Sequence, residues 1–159
     1  MRIIGIDPGL RQAGWGVVER HGSRLVHVAN GVCASGHGTL GDRLAALHQG
    51  LTAVIAGYRP DAAAIEKTFV NSDPAAALLL GQARGVALLA LAQAGLPVSE
   101  FAPNAVKKAV VGAGRAEKAQ IAAMVAMLLP GARATAHDAW DALAIAITRA
   151  NLSEALVAR

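Results

Sequence analysis

The N-terminal part of the chain consists of short apolar runs separated by turns that contain glycine. The run RIIGID is rich in isoleucine and ends at Pro8 and Gly9, which is typical of a buried strand. Two further runs, AGWGVVER and RLVHVANGVC, also have strand character. Because short glycine-containing turns join antiparallel neighbours, the pattern predicts an antiparallel meander of two or three strands.

The spacing of the apolar positions becomes helical after the third run. Leucine, valine and isoleucine recur three or four positions apart over residues 40–58, which predicts a helix. The segment DAAAIE at 61–66 predicts a short buried strand that ends in an acid. A long helix rich in alanine and leucine is predicted over 74–94, with Ser72 and Asp73 as its capping residues.

The C-terminal half alternates between strand and helix patterns. LPVSEF predicts a further strand, and NAVKKAVVG and AEKAQIAAMVAMLL predict two helices separated by GAGR. A last helix is predicted from its cap, Thr135, to near the C-terminus. An antiparallel opening followed by alternating helices and strands predicts an α/β fold, with a mixed sheet flanked by helices.

Length and composition favour one domain that is not embedded in a membrane. The chain has 159 residues without a repeat or linker, so we expect a single domain over 1–159. Hydrophobic residues make up 54% of the chain, but much of this is alanine, and polar residues, glycine and proline interrupt the longest uncharged apolar stretch, at 85–99. We therefore expect no membrane span and no export signal. Cys33, the single cysteine, excludes an intramolecular disulfide and agrees with a cytoplasmic location.

The balance of charge bears on the class of partner. A net charge of +4 and a pI of about 9.8 are compatible with a nucleic-acid partner. Aromatic residues make up 3% of the chain, which argues against a protein that holds single strands mainly by stacking.

Four of the eleven acids occupy positions that suit chemistry. Asp7 and Glu66 each end a predicted strand, while Asp138 and Asp141 lie three residues apart and share one face of the last helix. Carboxylates that close repel one another unless a cation lies between them. Oxygen ligands suit Mg²⁺, and two such ions roughly 4 Å apart can activate a water and stabilise a departing 3′-oxygen in phosphodiester hydrolysis. The four acids therefore suggest a two-metal site.

Each acid also has an ordinary structural interpretation. Asp7 can begin a turn before the Pro-Gly pair, and Glu66 can pair with Lys67 at the end of its strand. Asp138 and Asp141 can complement the dipole in the first turn of a helix. Spacing alone does not decide between these interpretations and a metal site.

Five blocks of the chain, in order, resemble the RuvC family of Holliday-junction resolvases: IIGIDPGL…GWGVV, AAAIEKTFV, ALLLGQARGVAL, VKKAVVGAGRAEKAQI and DAWDALAIAITRA. The resemblance covers nearly the whole chain. It implies a ribonuclease-H-like fold, with a five-stranded mixed sheet whose first three strands are antiparallel and with helices on both faces. The family's catalytic, metal-binding acids fall on Asp7, Glu66, Asp138 and Asp141.

The same resemblance implies an activity and its requirements. The protein is expected to be a homodimer that makes paired nicks in opposed strands of a four-way DNA junction. Mg²⁺ is the expected cofactor, with two ions in each active site and Mn²⁺ as a substitute. Branch-migration helicase proteins are expected as partners.

The resemblance also suggests which residues contact DNA. Phe69 corresponds to a family phenylalanine that lies beside the junction bases, although one aromatic residue at a strand exit is more often part of a core. Lys107 and Lys118 match family positions implicated in activity, in a basic segment that could instead be a solvated helix face. The predicted DNA contacts are Phe69, Asn71, Arg84, Lys107, Lys108, Arg115 and Lys118.

Two residues beside the helical acids depart from the family pattern. His137 precedes Asp138 and is a candidate auxiliary residue for proton transfer, with an ordinary exposed side chain as the alternative. Trp140 lies between the two acids, where small residues are usual, and is expected to pack against the sheet.

The helix predicted over 74–94 carries leucine and valine around its whole circumference. Such a helix is expected to be buried on nearly all sides. The dimer interface of the family lies around this helix. A fully internal core helix is the alternative.

Other functions are compatible with parts of the pattern. Actin-like ATPases and sugar kinases also have an acid at a GIDxG-like strand end, but they need a second nucleotide-binding domain that 159 residues cannot accommodate. A non-catalytic junction-binding module is expected to lack at least one of the four acids. Another ribonuclease-H-like nuclease, acting on a different DNA or on RNA–DNA hybrids, is the principal alternative.

Overall fold

A five-stranded mixed sheet runs through the centre of the protein. The computed structural model describes residues 1–68, 73–134 and 136–152. The strands are β1 (Arg2–Asp7), β2 (Gln12–His21), β3 (Arg24–Ala34), β4 (Ala62–Glu66) and β5 (Val98–Phe101). They lie in the order β3-β2-β1-β4-β5, with β1, β2 and β3 antiparallel, β4 parallel to β1, and β5 parallel to β4. The predicted α/β fold with its antiparallel N-terminal meander is confirmed.

Helices cover both faces of this sheet. The helices of the described residues are α1 (Leu40–Tyr58), α2 (Pro74–Gln93), α3 (Pro103–Val111), α4 (Lys118–Leu128) and α5 (His137–Ala150). Successive side chains of a strand point to opposite faces, so Ile4 and Ile6 of β1 pack with α1 and α2, while Ile3 packs with α3, α4 and α5. A central strand covered on both faces explains the almost unbroken apolar run at the start of the sequence.

The helix starts largely follow the local sequence signals. α1 occupies the predicted 40–58 and begins with a capping box at Thr39. α2 begins as predicted after Asp73, whose carboxylate accepts a hydrogen bond from the backbone of the first turn. Ser72, the other predicted cap, lies outside the described residues.

The start of α5 differs from the prediction. The helix begins at His137 with Ala136 as its N-cap, so the prediction that Thr135 caps it is wrong; Thr135 itself lies outside the described residues. Ala136 offers no side-chain acceptor to the first turn. Asp138 instead places negative charge at the positive end of the helix dipole.

Glycines on two strands let α5 approach the sheet closely. Gly5 of β1 is paired with Gly16 of β2. A Cβ at Gly5 would collide with the α5 backbone at Ala142, and a Cβ at Gly16 would lie 2.8 Å from the side chain of Leu143. Because no side chain intervenes, α5 is buried from 142 to 150.

One face of α2 is buried and another is apolar but exposed. Ala83 and Ala87 belong to the core, whereas Leu78 is 67% exposed and Leu89 is 50% exposed. The alternative of a fully internal core helix is therefore wrong, and burial on nearly all sides would need a partner surface. By length and composition α2 is the one helix among the described residues that could cross a membrane, but its alanine residues lie in the core together with residues of α1 and of the central strands.

Candidate active site

The predicted acids come together at one end of the sheet. β1 and β4 are paired in parallel up to the residues that precede Asp7 and Glu66, so these two acids leave the same edge as neighbours. The first turns of α5 bring Asp138 and Asp141 to that edge. Carboxylate oxygens of Asp7, Asp138 and Asp141 all lie within 4.8 Å of one another. Three of the four acids that were predicted to form one site are therefore close together in the structure.

Glu66 joins the cluster through a cavity of about 250 Å³. Asp7, Glu66 and Asp141 line this cavity together with Lys107 and Lys118. Carboxylate oxygens are the ligands that hard divalent cations prefer, so the donor set fits a metal ion. The two lysines supply positive charge on the same wall.

Burial and mutual repulsion oppose ionisation of these carboxylates. Burial raises the pKa of Asp7 to about 8, and the charges of Glu66, Asp141 and Asp138 act in the same direction. Burial also raises the pKa of Glu66 and of Asp141, against the opposing positive charge of Lys118. A divalent cation would reverse this balance because it stabilises the ionised carboxylates.

Two polar side chains contact the acids of α5. Lys118 Nζ lies 3.7 Å from Asp141 Oδ2. Gln12 Nε2 donates a hydrogen bond of 2.6 Å to Asp138 Oδ2. Sequence reasoning missed Gln12, because 126 positions separate it from Asp138 and no local pattern links the two.

Gly14 sets the distance between the first turn of α5 and the sheet. It is paired with Asp7 across β1 and β2. A Cβ at Gly14 would collide with the carbonyl oxygen of Asp138 and lie 2.9 Å from the Asp138 Cβ. Glycine within a strand pattern indicates close approach of another backbone, which is the sequence signal that could have revealed this contact.

The basic residues that are predicted to contact DNA either line the cavity beside the acids or are exposed near it. Lys107 and Lys118 line the cavity beside the acids, and Lys108 and Arg115 are exposed on the same part of the chain. This arrangement places the basic segment next to the acid cluster. Their contacts to DNA stay predictions.

The side chain of Arg84 contacts other residues of the protein. Its guanidinium forms an ion pair with Glu100 and donates a hydrogen bond of 2.9 Å from Nε to the carbonyl oxygen of Glu66. Arg84 therefore braces the end of β4 from the side of α2. Phe69 and Asn71, also predicted to contact DNA, lie outside the described residues.

His137 and Trp140, the neighbours of the two acids on α5, differ in burial. His137 is exposed at the first position of the helix, and its positive charge would favour ionisation of Asp141 by lowering the pKa of that carboxyl group. Trp140 is half-buried and packs against the core formed by α3, α4, α5 and the sheet, as predicted.

A second, larger groove begins on the other side of Asp138. It has a volume of about 1010 Å³ and its walls include Arg11, His37, Arg43 and Gln12. Arg43 also donates hydrogen bonds to the Leu10 carbonyl and to Ser35, so it supports the groove wall. No local sequence pattern marks these residues as a group. Basic residues consequently lie on both sides of the acid cluster.

The raised pKa of Asp7 predicts a pH dependence of stability. The folded state holds a proton that the unfolded state, with an ordinary pKa of 3.8, has released. Stability of the metal-free protein therefore decreases as pH rises between 3.8 and about 8. We expect the melting temperature in EDTA to fall by roughly 10–20 °C across this interval. Asp7→Asn should reduce that slope in circular-dichroism melts, and the raised pKa values of Glu66 and Asp141 should account for the remainder. An equal slope in both proteins would contradict the raised pKa of Asp7.

Comparison with known proteins decides the family. A family model described as "Crossover junction endodeoxyribonuclease RuvC" matches residues 3–149. The chain belongs to the RuvC family. A relative with that same description, from Ruegeria pomeroyi, is 65% identical over 150 residues, which cover 94% of this chain and 91% of the relative. Another, from Cereibacter sphaeroides, is 60% identical over 151 residues, covering 95% and 90%.

A solved structure of the same family is also similar. "T. thermophilus RuvC in complex with Holliday junction substrate" aligns with a TM-score of 0.86 at 34% identity, covering 94% of this chain and 93% of that chain. Both the RuvC resemblance and the ribonuclease-H-like sheet order are thereby confirmed. The roles of individual residues in this chain stay predictions.

Proposed function

We propose that the protein is a structure-selective endodeoxyribonuclease that resolves four-way (Holliday) DNA junctions in recombination and repair. It would do so by paired, metal-assisted hydrolysis of phosphodiesters on opposed strands. The observation that carries the proposal is the convergence of Asp7, Asp138 and Asp141 to within 4.8 Å, in a chain whose RuvC relatives are described as crossover junction endodeoxyribonucleases. The similar RuvC structure in complex with a Holliday junction supports the substrate class.

The proposed metal site consists of four carboxylates, those of Asp7, Glu66, Asp138 and Asp141. The proposed cofactor is Mg²⁺, with two ions per site and Mn²⁺ as a substitute, and the oxygen donors support a hard divalent cation. Ions held by these four carboxylates would supply the activation of a water and the stabilisation of the departing 3′-oxygen. The chain's part is to hold the carboxylates together in ionised form.

The proposed DNA path crosses the acid cluster between two basic surfaces. Lys107 and Lys118 would face a phosphate in the smaller cavity, and Arg11 would face the strand where it continues into the larger groove. Contacts of this kind fix the position of DNA without reading its sequence. Further proposed DNA contacts are Lys108, Arg115, Phe69, Asn71 and Arg84, and His137 is proposed as an auxiliary to proton transfer.

We propose a homodimer formed around α2. The exposed leucines Leu78 and Leu89 support this arrangement because apolar side chains on one helix face gain free energy when a second copy covers them. Two active sites in one assembly would also account for cuts on opposed strands. Branch-migration helicase proteins as partners and a cytoplasmic location are proposed on family membership.

Leu78→Glu is expected to convert the dimer into a monomer, because it would bury a carboxylate in an apolar interface. Sedimentation equilibrium measures the change, and a nicking assay should show single cuts in place of paired cuts. Met127→Glu is the matched control, since Met127 is 74% exposed on α4 and should leave the dimer intact. A dimer that persists in the double variant Leu78→Glu, Leu89→Glu would contradict the proposed interface.

The proposed activity is tested by comparing substrates at equal metal concentration. A mobile four-way junction, a linear duplex of the same sequence and an RNA–DNA hybrid are incubated with the protein and Mg²⁺, and ATP hydrolysis is assayed without DNA. We expect symmetrical cuts in the junction and little cutting of the duplex. Preferred cleavage of the hybrid would favour the alternative nuclease, and ATP hydrolysis would favour a phosphotransferase.

A further inference from the structure

Gln12 is fixed firmly at the boundary between the acid cluster and the larger groove. It is the first residue of β2 and is paired with Ala34 of β3. The turn that precedes it is tight, because a Cβ at Gly9 would collide with the carbonyl oxygen of Gln12. The same turn carries the chain directly from Asp7, so Gln12 and Asp7 have a fixed spatial relation.

The hydrogen bond from Gln12 engages one of the two oxygens of Asp138. Nε2 lies 2.6 Å from Oδ2, and a carboxylate oxygen of Asp138 lies within 4.8 Å of oxygens of Asp7 and Asp141. The donor is a neutral amide, so it stabilises the carboxylate without supplying a positive charge that would compete with a cation. Asp141 differs, since its contact at 3.7 Å is with the charged and largely exposed Lys118.

We propose that Gln12 is a positioning residue, which orients Asp138 toward the cation and thereby sets the affinity of the site for metal. This inference rests on the proposed metal-dependent nuclease. Ligand carboxylates in metal sites are held by hydrogen bonds from neighbouring groups, and loss of such a neighbour typically weakens metal binding about 10–100-fold. Because the Gln12 amide donates to Asp138, its effect should already appear in metal affinity measured without DNA.

The test replaces the amide by an apolar side chain of nearly the same length, in Gln12→Met. Mn²⁺ binding to the full chain without DNA is measured by electron paramagnetic resonance, and melting is followed in EDTA. We expect the dissociation constant for Mn²⁺ to rise about 10–100-fold, while the melting temperature in EDTA falls by only a few degrees because one hydrogen bond is lost. Cleavage of a four-way junction should approach the rate of the unaltered protein once Mn²⁺ is saturating.

Gln93→Met is the matched control. Gln93 also uses its amide in a side-chain hydrogen bond, to His48, but on the surface of α2, so Mn²⁺ affinity should not change. Unchanged affinity in Gln12→Met, or a loss that saturating Mn²⁺ does not relieve, would overturn the role of Gln12 alone. Failure of the unaltered protein to bind Mn²⁺ would overturn the proposed metal site as well.

Discussion

Asp7→Asn is expected to lower the rate of four-way junction cleavage by more than about 100-fold. Loss of a group that only hydrogen-bonds to a metal ligand typically lowers metal affinity or activity 10–100-fold, and loss of a ligand itself should have a larger effect. Asp7 is central to the site because it ends the middle strand of the sheet and contributes an oxygen to the three-acid cluster. Asparagine has the same shape but no negative charge, so the site would lose a cation ligand while the surface that meets DNA keeps its form.

Junction binding in Ca²⁺ or EDTA should stay within roughly threefold of the unaltered protein, because surface charges away from the cluster dominate DNA affinity. Asp61→Asn is the matched control: it makes the same chemical change at the other end of β4 from Glu66, where the carboxylate accepts a hydrogen bond from the backbone of Arg2. It should cleave normally. Metal-dependent nicking that survives in Asp7→Asn would contradict the role assigned to Asp7.

Gly14→Ala is expected to have the second-largest effect. The added methyl group would push the first turn of α5 away from the sheet at the Asp138 carbonyl, which both strains the fold and separates Asp138 from Asp7. We expect a loss of about 1–3 kcal/mol in the free energy of unfolding and a loss of cleavage greater than the loss of folded protein. Urea unfolding and single-turnover cleavage measure the two effects.

Gly57→Ala controls for the change from glycine to alanine. Gly57 is exposed in α1, and a Cβ there would meet no other atom within 4 Å. Alanine within a helix is typically more stable than glycine by about 0.5–1 kcal/mol, so this variant should be neutral or slightly stabilised and fully active. If the Gly14→Ala protein had normal stability and normal cleavage, the close approach of α5 to the sheet would be required for neither.

Local patterns carried most of the fold prediction. Strand and helix periods differ, so RIIGID and residues 40–58 were recognisable without any tertiary information, and β1 and α1 have the predicted character. The positions of Asp7, Glu66, Asp138 and Asp141 suggested a metal site but left their ordinary structural interpretations open, and the resemblance to the RuvC family supplied the choice between them. The prediction of Thr135 as a cap failed because a threonine near a helix start is a weak signal on its own.

Contacts between distant elements were beyond sequence reasoning. The hydrogen bond from Gln12 to Asp138 depends on how α5 lies over β2, and the groove with Arg11 and His37 depends on where β3 and α1 meet the β1–β2 turn. The ion pair of Arg84 with Glu100 on β5 was likewise not predictable, because it depends on how α2 packs in the fold; the predicted contact of Arg84 with DNA stays a prediction. Such features arise from tertiary packing, which no periodicity encodes.

If the four acids hold the cations that cut DNA, anomalous diffraction from Mn²⁺-soaked crystals should locate Mn²⁺ among them. We expect two anomalous peaks roughly 4 Å apart, contacted by Asp7, Glu66, Asp138 and Asp141. Crystals of protein that cleaves junctions in Mn²⁺ but shows no peak among these carboxylates, or shows its peaks elsewhere, would contradict the claim.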